Sequence, residues 1–262
     1  MNKENSIKTV ILCGGMGTRL REETEYRPKP LVEIGGKPIL WHIMKIYSHY
    51  GFKDFILCLG YKGEMIKEYF LNYEMLNSDF TIELGSKNIK IHNGHDEYGI
   101  RVSLVNTGET TMTGARVKKV GKFIDSEVFM LTYGDGVCDI NLTKLMEFHK
   151  SHGKIGTITG VRPASRFGEL VVKDKKVLSF SEKPQNSDGL INGGFFIFNK
   201  EFLEYIDEND DCVLEKDPLE KLTKDGELMV YNHDGFWQCM DTYRDFTLLN
   251  NLWKTNPLWK VW

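Results

Sequence analysis

The sequence predicts an α/β fold in which a mostly parallel β-sheet lies between two layers of helices. In the first third of the chain, short apolar runs rich in β-branched residues alternate with segments of helical periodicity. Such alternation is typical of parallel strands joined by helices on both faces of a sheet. Between residues 80 and 105 the pattern changes to short alternating runs, which predict a small antiparallel β insertion. The predicted class is therefore a three-layer, Rossmann-like α/β fold.

The first predicted elements alternate between strand and helix. Residues 9–13 form an apolar run that ends at a glycine pair, which indicates a buried strand entering a tight turn. Residues 38–50 have helical spacing, with a proline suited to the first turn and a glycine after the last. A second buried strand over 54–59 and a second helix over 62–73 follow.

The rest of the chain adds strands to the same sheet. Residues 128–132 predict a strand that leads into Tyr133-Gly134-Asp135-Gly136, and residues 142–152 predict a helix. An aspartate at the carboxyl end of a central strand lies where open α/β sheets bind ligands. No linker divides the chain, so we expect a single domain over 1–262 with a C-terminal helical tail over about 241–262. Further short strands are predicted at 155–161, 169–172, 177–180, 193–199 and 227–231.

Composition excludes several classes of partner. The net charge is −3 with Lys and Arg spread along all 262 residues, so we expect no nucleic-acid partner. No run approaches the roughly 20 apolar residues of a membrane helix, so we expect no membrane partner. The five cysteines are scattered without C-x-x-C pairs, which favours a reducing, cytoplasmic location.

A glycine-rich segment, GGMGTRL, follows the first strand. Its spacing matches neither the P-loop nor the dinucleotide fingerprint, which disfavours a dinucleotide-dependent dehydrogenase. Three glycines let backbone N–H groups approach phosphates, while Thr18 adds a hydroxyl and Arg19 a fixed cation. The alternative for this segment alone is an ordinary strand-to-helix turn.

A second segment places one lysine between two prolines. In the run Arg27-Pro28-Lys29-Pro30, the backbone is stiffened on both sides of Lys29, which lies ten residues after Arg19. Taken alone, such a run is more often a surface loop. Its position after the glycine loop favours an ammonium held at a phosphate site.

GGMGTRL followed by RPKPLVEIGGKPIL resembles the opening signature of the sugar nucleotidyltransferases, which make nucleoside diphosphate sugars. The segments YGD, EKP, NGG and MDT continue the resemblance along the chain. It implies that Asp135 and Asp241 hold Mg²⁺ and that Arg19, Lys29 and Asp135 take part in catalysis. The implied nucleotide-binding residues are Leu12, Gly14, Gly15, Met16, Gly17, Thr18, Arg19, Lys29, Thr111, Arg116 and Gly134. The implied sugar-phosphate-binding residues are Gly168, Glu182, Lys183 and Asn192.

The stretch VNTGETTMTGARVKKV resembles the branch of this family that transfers a cytidylyl group from CTP to glucose 1-phosphate. In that branch Thr111 and Arg116 match positions that contact the nucleotide. Ordinary loop solvation of Thr111 and a surface position for Arg116 are the alternatives. Two departures are small: Cys13 stands where alanine is common, and Ala115 replaces a usual glycine. Neither removes a charged group.

The implied reaction needs cations more than it needs a general base. A phosphate monoester has a second pKa of about 6, so the nucleophile is mostly dianionic at neutral pH. Two polyanions must still approach each other, which Mg²⁺, Lys29 and Arg19 would permit. Transfer of a uridylyl or thymidylyl group, or a non-catalytic nucleotide-sugar sensor, remain as alternatives. Singly, Asp135 also suits a turn and Asp241 a helix cap.

Two aromatic groups carry weaker predictions. His149 and His152 lie three apart on a predicted helix and are interpreted as solvated. Trp253, Trp259 and Trp262 either anchor a subunit contact or pack against their own domain. The resemblance implies a homo-oligomer, and a hexamer in the cytidylyl branch.

Overall fold

A computed structural model of the chain describes residues 6–86, 88–162, 169–173, 176–181 and 189–262. The apolar β-branched runs form strands, and the segments of helical periodicity pack against them. The strands are β1 (Lys8–Cys13), β2 (Glu33–Ile34), β3 (Lys37–Pro38), β4 (Asp54–Leu59), β5 (Phe80–Ile82), β6 (Ile89–Ile91), β7 (Arg101–Asn106), β8 (Val128–Tyr133), β9 (Gly136–Cys138), β10 (Gly156–Val161), β11 (Glu169–Lys173), β12 (Lys176–Ser181), β13 (Ile191–Asn199), β14 (Leu228–His233) and β15 (Trp237–Cys239). The α-helices are α1 (Arg21–Thr24), α2 (Ile39–His49), α3 (Gly63–Leu71), α4 (Tyr73–Asn77), α5 (Thr113–Val120), α6 (Leu142–His152), α7 (Asp217–Lys224) and α8 (Tyr243–Thr255).

The predicted fold class is confirmed. Seven strands form one sheet in the order β14-β10-β13-β8-β1-β4-β7. Strands β8, β1, β4 and β7 run parallel, as do β10 and β14, and β13 is antiparallel to both of its neighbours. Central strand β1 is buried along its whole length, as its continuous apolar run predicts.

Each face of this sheet carries its own hydrophobic core. Successive side chains of β1 alternate between the two cores, with Ile11 in one and Val10 and Leu12 in the other. Helices α2 and α6 supply the first core, while α5 and α7 supply the second. This arrangement gives the three predicted layers. In the described part of the chain, no helix combines the length and apolar character needed to cross a bilayer.

The predicted β insertion is only partly correct. Strands β5 and β6 do form an antiparallel hairpin, with Phe80 opposite Ile91 and Ile82 opposite Ile89. The run RVSLV, however, is β7, which pairs parallel with β4 at the edge of the main sheet. As a partly exposed edge strand, β7 alternates polar and apolar residues from Arg101 to Leu104, a pattern that also marks antiparallel strands.

The interpretation of His149 as a solvated residue is wrong. Its ring is buried, with Nδ1 2.8 Å from the Thr157 hydroxyl and Nε2 3.0 Å from Asn199 Oδ1. His152 contacts the same Thr157 hydroxyl through Nε2. Burial lowers the pKa of His149, because the charged ring would lose its hydration. These histidines therefore join α6 to the sheet.

The C-terminal tryptophans pack against their own domain. Trp259 is fully buried, and its Nε1 donates to Nδ1 of His42 at 3.3 Å. The rings of Trp253 and Trp262 also contact His42, at centroid distances of 4.8 and 6.1 Å. His42 uses its other nitrogen to bond the carbonyl of Ile34 at 2.9 Å. The tail thus closes over α2.

Candidate active site

The glycine loop follows the end of β1 and turns sharply. Gly17 has φ 62°, a left-handed conformation that glycine adopts without strain. Its carbonyl accepts hydrogen bonds from the backbone N–H of Leu20 and from the hydroxyl of Thr24, both at 2.9 Å. These bonds hold the turn and leave Met16, Thr18 and Arg19 exposed at the carboxyl end of the parallel strands.

Lys29 reaches back toward this loop. It begins a 3-10 turn, Lys29–Leu31, after an extended Pro28. Its Nζ lies 2.6 Å from Oδ2 of Asp135 and 2.6 Å from Oδ1 of Asp241. The lysine predicted from the two prolines and the two predicted metal carboxylates therefore meet at one point.

Strand pairing brings the two aspartates together. Asp135 lies in the turn between β8 and β9, and β9 pairs antiparallel with β15. The N–H of Met240 donates to the carbonyl of Asp135 at 2.8 Å. The N-cap of α8 is Thr242, in a capping box with Asp245, so the carboxylate of Asp241 is not the cap.

The charges of this cluster balance. Arg19 Nη1 lies 2.7 Å from the second oxygen of Asp241, so two cations face two carboxylates. Burial of the Lys29 ammonium works to lower its pKa, but Asp135 and Asp241 outweigh burial and the pKa is raised. Lys29 is therefore fully charged at neutral pH.

The donor set suits a hard divalent cation. Within the described residues, no three His, Cys, Asp or Glu side chains converge as a metal-binding group. Two carboxylates that already share one ammonium are close enough to share a metal ion instead. Mg²⁺ commonly takes one or two carboxylates and fills its remaining positions with phosphate oxygens and water.

A cavity of about 450 Å³ opens beside the cluster. Gly134 forms part of its wall, and a Cβ there would lie 2.7 Å from the carbonyl oxygen of Leu12, so only glycine fits. A cavity of this size accommodates a small organic ligand. It is lined by Leu12, Cys13, Gly14, Gly15, Met16, Lys29, Pro30, Glu109, Thr110, Thr111, Met112, Thr113, Arg116, Tyr133, Gly134 and Asp135.

Arg116 supports this cavity from beneath. It is only 4% exposed, which excludes the surface position, and its guanidinium donates to five protein oxygens. Burial lowers the pKa of Arg116, and the five acceptors compensate the buried charge. The acceptors are the carbonyls of Gly14, Leu59, Gly108 and Glu109 and the hydroxyl of Thr107, at 2.7 to 3.2 Å.

Thr111 is buried as well, so ordinary loop solvation does not describe it. Its hydroxyl accepts from Lys119 Nζ at 3.1 Å, and the same ammonium donates to the carbonyl of Thr107 at 2.9 Å. Gly108 has φ 106°, and a Cβ there would overlap the Thr111 hydroxyl. The loop from Thr107 to Thr111 is therefore held at both ends by cations of α5.

Only one of the four predicted sugar-phosphate-binding residues lies within the part of the chain that the structure describes. Gly168, Glu182 and Lys183 lie outside the described residues. Asn192 lies near the start of β13, and its amide nitrogen donates to the Tyr133 hydroxyl at 3.1 Å. The Tyr133 hydroxyl also donates to Glu215 at 2.5 Å. Neither residue was predicted from the sequence, although Tyr133 directly precedes the Gly134-Asp135 pair.

Comparisons with known proteins identify the family of this chain. A sequence model of the nucleotidyl transferase family matches residues 8–255. The glucose-1-phosphate cytidylyltransferase of Salmonella typhimurium is 50% identical over 258 residues, covering 98% of this chain and 100% of that protein. A Bacillus subtilis protein described as a probable glucose-1-phosphate cytidylyltransferase is 46% identical, with the same coverage of both chains.

A solved structure has a similar fold. The crystal structure of HddC from Yersinia pseudotuberculosis superposes with a TM-score of 0.70 at 26% identity, covering 94% of this chain and 99% of that one. The chain belongs to the nucleotidyl transferase family.

Proposed function

We propose that this chain transfers the cytidylyl group of CTP to α-D-glucose 1-phosphate, giving CDP-glucose and pyrophosphate. The observation that carries the proposal is the Lys29 ammonium held between Asp135 and Asp241 beside the glycine-loop cavity. Full-length relatives named glucose-1-phosphate cytidylyltransferase support the choice of substrates.

The cavity is proposed to hold CTP. Its triphosphate would lie against the backbone of the glycine loop, with the Thr18 hydroxyl and the Arg19 guanidinium at its outer end. Thr111 and Gly134 would form the walls around the nucleoside. Arg116 would act on the nucleotide by holding both the Gly14 carbonyl and the Gly108 carbonyl in place.

Glucose 1-phosphate is proposed to bind on the side of Asn192. Gly168, Glu182 and Lys183 are proposed to complete this site by their match to the family motifs. A lysine suits the phosphate as a compact positive charge, while carboxylate and amide groups suit sugar hydroxyls.

In the proposed reaction, a phosphate oxygen of glucose 1-phosphate attacks the α-phosphorus of CTP in line. The bond between the α-phosphorus and the bridging oxygen breaks, and pyrophosphate leaves with that oxygen. No proton has to be removed from the dianionic nucleophile. Lys29 would stabilise the charge that develops at the α-phosphorus, and Arg19 would receive the pyrophosphate.

Mg²⁺ is proposed as the cofactor, with Asp135 and Asp241 as its protein ligands. When bound, it would neutralise phosphate charge in the reacting centre. The two carboxylates are hard oxygen donors, which fit this ion better than a thiophilic one.

We further propose a homo-oligomer, a hexamer by resemblance, that acts in the cytoplasm. The apolar face of the hairpin β5–β6 supports self-association, because Phe80, Ile82, Ile89 and Ile91 share one exposed face. Five unpaired cysteines support a reducing compartment.

The test is pyrophosphate release from glucose 1-phosphate with CTP, UTP or dTTP, each with Mg²⁺ and with EDTA. We expect CTP to be preferred, the reaction to stop in EDTA, and CDP-glucose to be identified by mass spectrometry. Preference for UTP or dTTP would replace the cytidylyl assignment. Binding of CTP without turnover of any triphosphate would identify a sensor instead.

A further inference from the structure

A continuous chain of hydrogen bonds joins the two sides of the proposed active site. Thr113, at the start of α5, donates through its hydroxyl to Oε2 of Glu215 at 2.7 Å. The other oxygen of Glu215 accepts from the Tyr133 hydroxyl at 2.5 Å. Tyr133 in turn accepts from the amide nitrogen of Asn192 at 3.1 Å. This series of hydrogen bonds therefore runs from the cavity wall to the proposed sugar-binding side.

These bonds fix the amide of Asn192 in one orientation. Its Oδ1 accepts from the backbone N–H of Gly194 at 2.8 Å, while its Nδ2 donates to Tyr133. One N–H and one lone pair of the amide remain for a ligand. A sugar hydroxyl both donates and accepts, so it matches this pair of free groups.

The direction of each hydrogen bond follows from the donors and acceptors that meet. Tyr133 donates its hydroxyl proton to Oε1 of Glu215 at 2.5 Å. The only proton of the hydroxyl points to Glu215, which leaves its lone pair for Asn192. If the Glu215 carboxylate were absent, the hydroxyl could turn and the amide could flip.

The ring of Tyr133 is fixed as tightly as its hydroxyl. It packs edge-on against Phe196 at a centroid distance of 5.8 Å. A Cβ at Gly194 would lie 2.5 Å from the ring, so glycine lets the ring lie against the backbone of β13. Because Tyr133 is the last residue of β8, its position is also tied to the Gly134-Asp135 turn.

We propose that Tyr133 and Glu215 are positioning residues that orient Asn192 toward the hydroxyls of the sugar phosphate. This inference deepens the proposed function and rests on it. It adds two residues, 82 positions apart in sequence, that connect the nucleotide cavity to the sugar side. Neither residue needs to touch the reacting phosphates.

The test is the effect of Tyr133→Phe on the two substrates separately. We expect KM for glucose 1-phosphate to rise about threefold to tenfold, the scale of one lost hydrogen bond, with KM for CTP within about twofold. Tyr205→Phe is the matched control, since Tyr205 also donates to a carboxylate, that of Asp225, at 3.0 Å on the surface. It should leave both KM values unchanged.

Glu215 provides a second, exposed site for the same test. Glu215→Ala should raise KM for glucose 1-phosphate like Tyr133→Phe, and Glu215→Gln should restore most of the affinity because its carbonyl still accepts from Tyr133. Equal rises for both substrates, unchanged KM values, or no rescue by glutamine would overturn the proposal. If the wild type makes no CDP-glucose, the proposed function itself fails. This outcome differs from failure of the positioning proposal, in which the wild type is active and only the KM values of the variants depart from expectation.

Discussion

The Nζ atom of Lys29 lies 2.6 Å from Oδ2 of Asp135, although 106 positions separate the two residues in sequence. The pairing depends on a stiff Pro-Lys-Pro segment and on the turn that follows the central strand β8. Asp241 holds the same ammonium at the same distance. A tethered cation thus occupies the space between two carboxylates that are proposed to bind Mg²⁺.

Asp135→Asn is expected to lower kcat by at least ~10²-fold, the scale of a single electrostatic catalytic group. The amide keeps the size of the side chain but loses the charge that holds Lys29 and that is proposed to hold a metal ion. Steady-state pyrophosphate release checks this, with folding verified by circular dichroism. Asp139→Asn is the control, because Asp139 follows β9 and pairs with His233, away from Lys29. Near-normal turnover of Asp135→Asn would refute the metal role.

Lys29→Met is expected to raise the affinity of the nucleotide-free protein for Mn²⁺ by about tenfold, which corresponds to about 1.4 kcal/mol. At the proposed metal site a divalent ion would have to displace the Lys29 ammonium from both carboxylates, and methionine removes that competitor. Electron paramagnetic resonance of free Mn²⁺ measures the affinity directly, without turnover.

Arg27→Met separates this displacement from a general loss of charge. Arg27 lies two residues away, yet its ion pairs are with Glu23 and Glu33. We expect its Mn²⁺ affinity to equal that of the wild type. An equal gain in both variants, or none in Lys29→Met, would show that Lys29 does not compete with the metal.

Much of this site could be predicted from sequence because its groups lie in short, rigid motifs. The glycine loop, Lys29 and the Gly134-Asp135 pair each follow a strand or a proline, so local chemistry marks them. Their meeting point could be predicted only through the family resemblance, since no local pattern joins Lys29 to Asp241.

Other features depend on tertiary contacts that leave little local signal. Glu215 lies among other acidic residues in the sequence and has no motif that distinguishes it, so only the fold brings it to Tyr133. The direction of β7 could not be predicted either, because polar and apolar residues can alternate in an exposed edge strand whether it is parallel or antiparallel. His149 looked solvated because the Thr157 hydroxyl that bonds it comes from β10, beyond the helix.

Arg116→Lys is expected to destabilise the fold by about 1–3 kcal/mol and to raise KM for CTP, because lysine has three donors for the five oxygens that arginine bonds. At least two of the five oxygens would lose their hydrogen bond to residue 116. Urea denaturation and CTP kinetics measure the two effects. Arg162→Lys, which alters an exposed ion pair with Asp234, should change neither. If Arg116→Lys had the wild-type free energy of unfolding and the wild-type KM for CTP, the loop would not require the several donors of a guanidinium group.

Ile82→Glu is expected to reduce the molecular mass in solution if the hairpin β5–β6 joins subunits. The substitution puts a charge into the apolar face that Ile82 shares with Ile89. Size-exclusion chromatography with light scattering gives the mass. Thr81→Glu is the matched control, because Thr81 points to the opposite face of the same strand. Equal masses for all three proteins would exclude the hairpin as the interface.

His42 is expected to make the protein less stable as the pH falls from about 6.5 toward 4. Burial among tryptophans lowers the pKa of His42 from 6.5 to about 4, so the unfolded chain binds a proton there that the folded chain does not. The stability that the neutral ring contributes is complete above pH 6.5 and declines below it. At pH 5 the loss should be about 2 kcal/mol, from about 1.4 kcal/mol for each pH unit.

His42→Gln cannot titrate, so its free energy of unfolding in urea should depend less steeply on pH than that of the wild type. His49→Gln, exposed on the same helix, is the control and should follow the wild type. Parallel pH profiles for the wild type and His42→Gln would show that His42 does not carry this dependence.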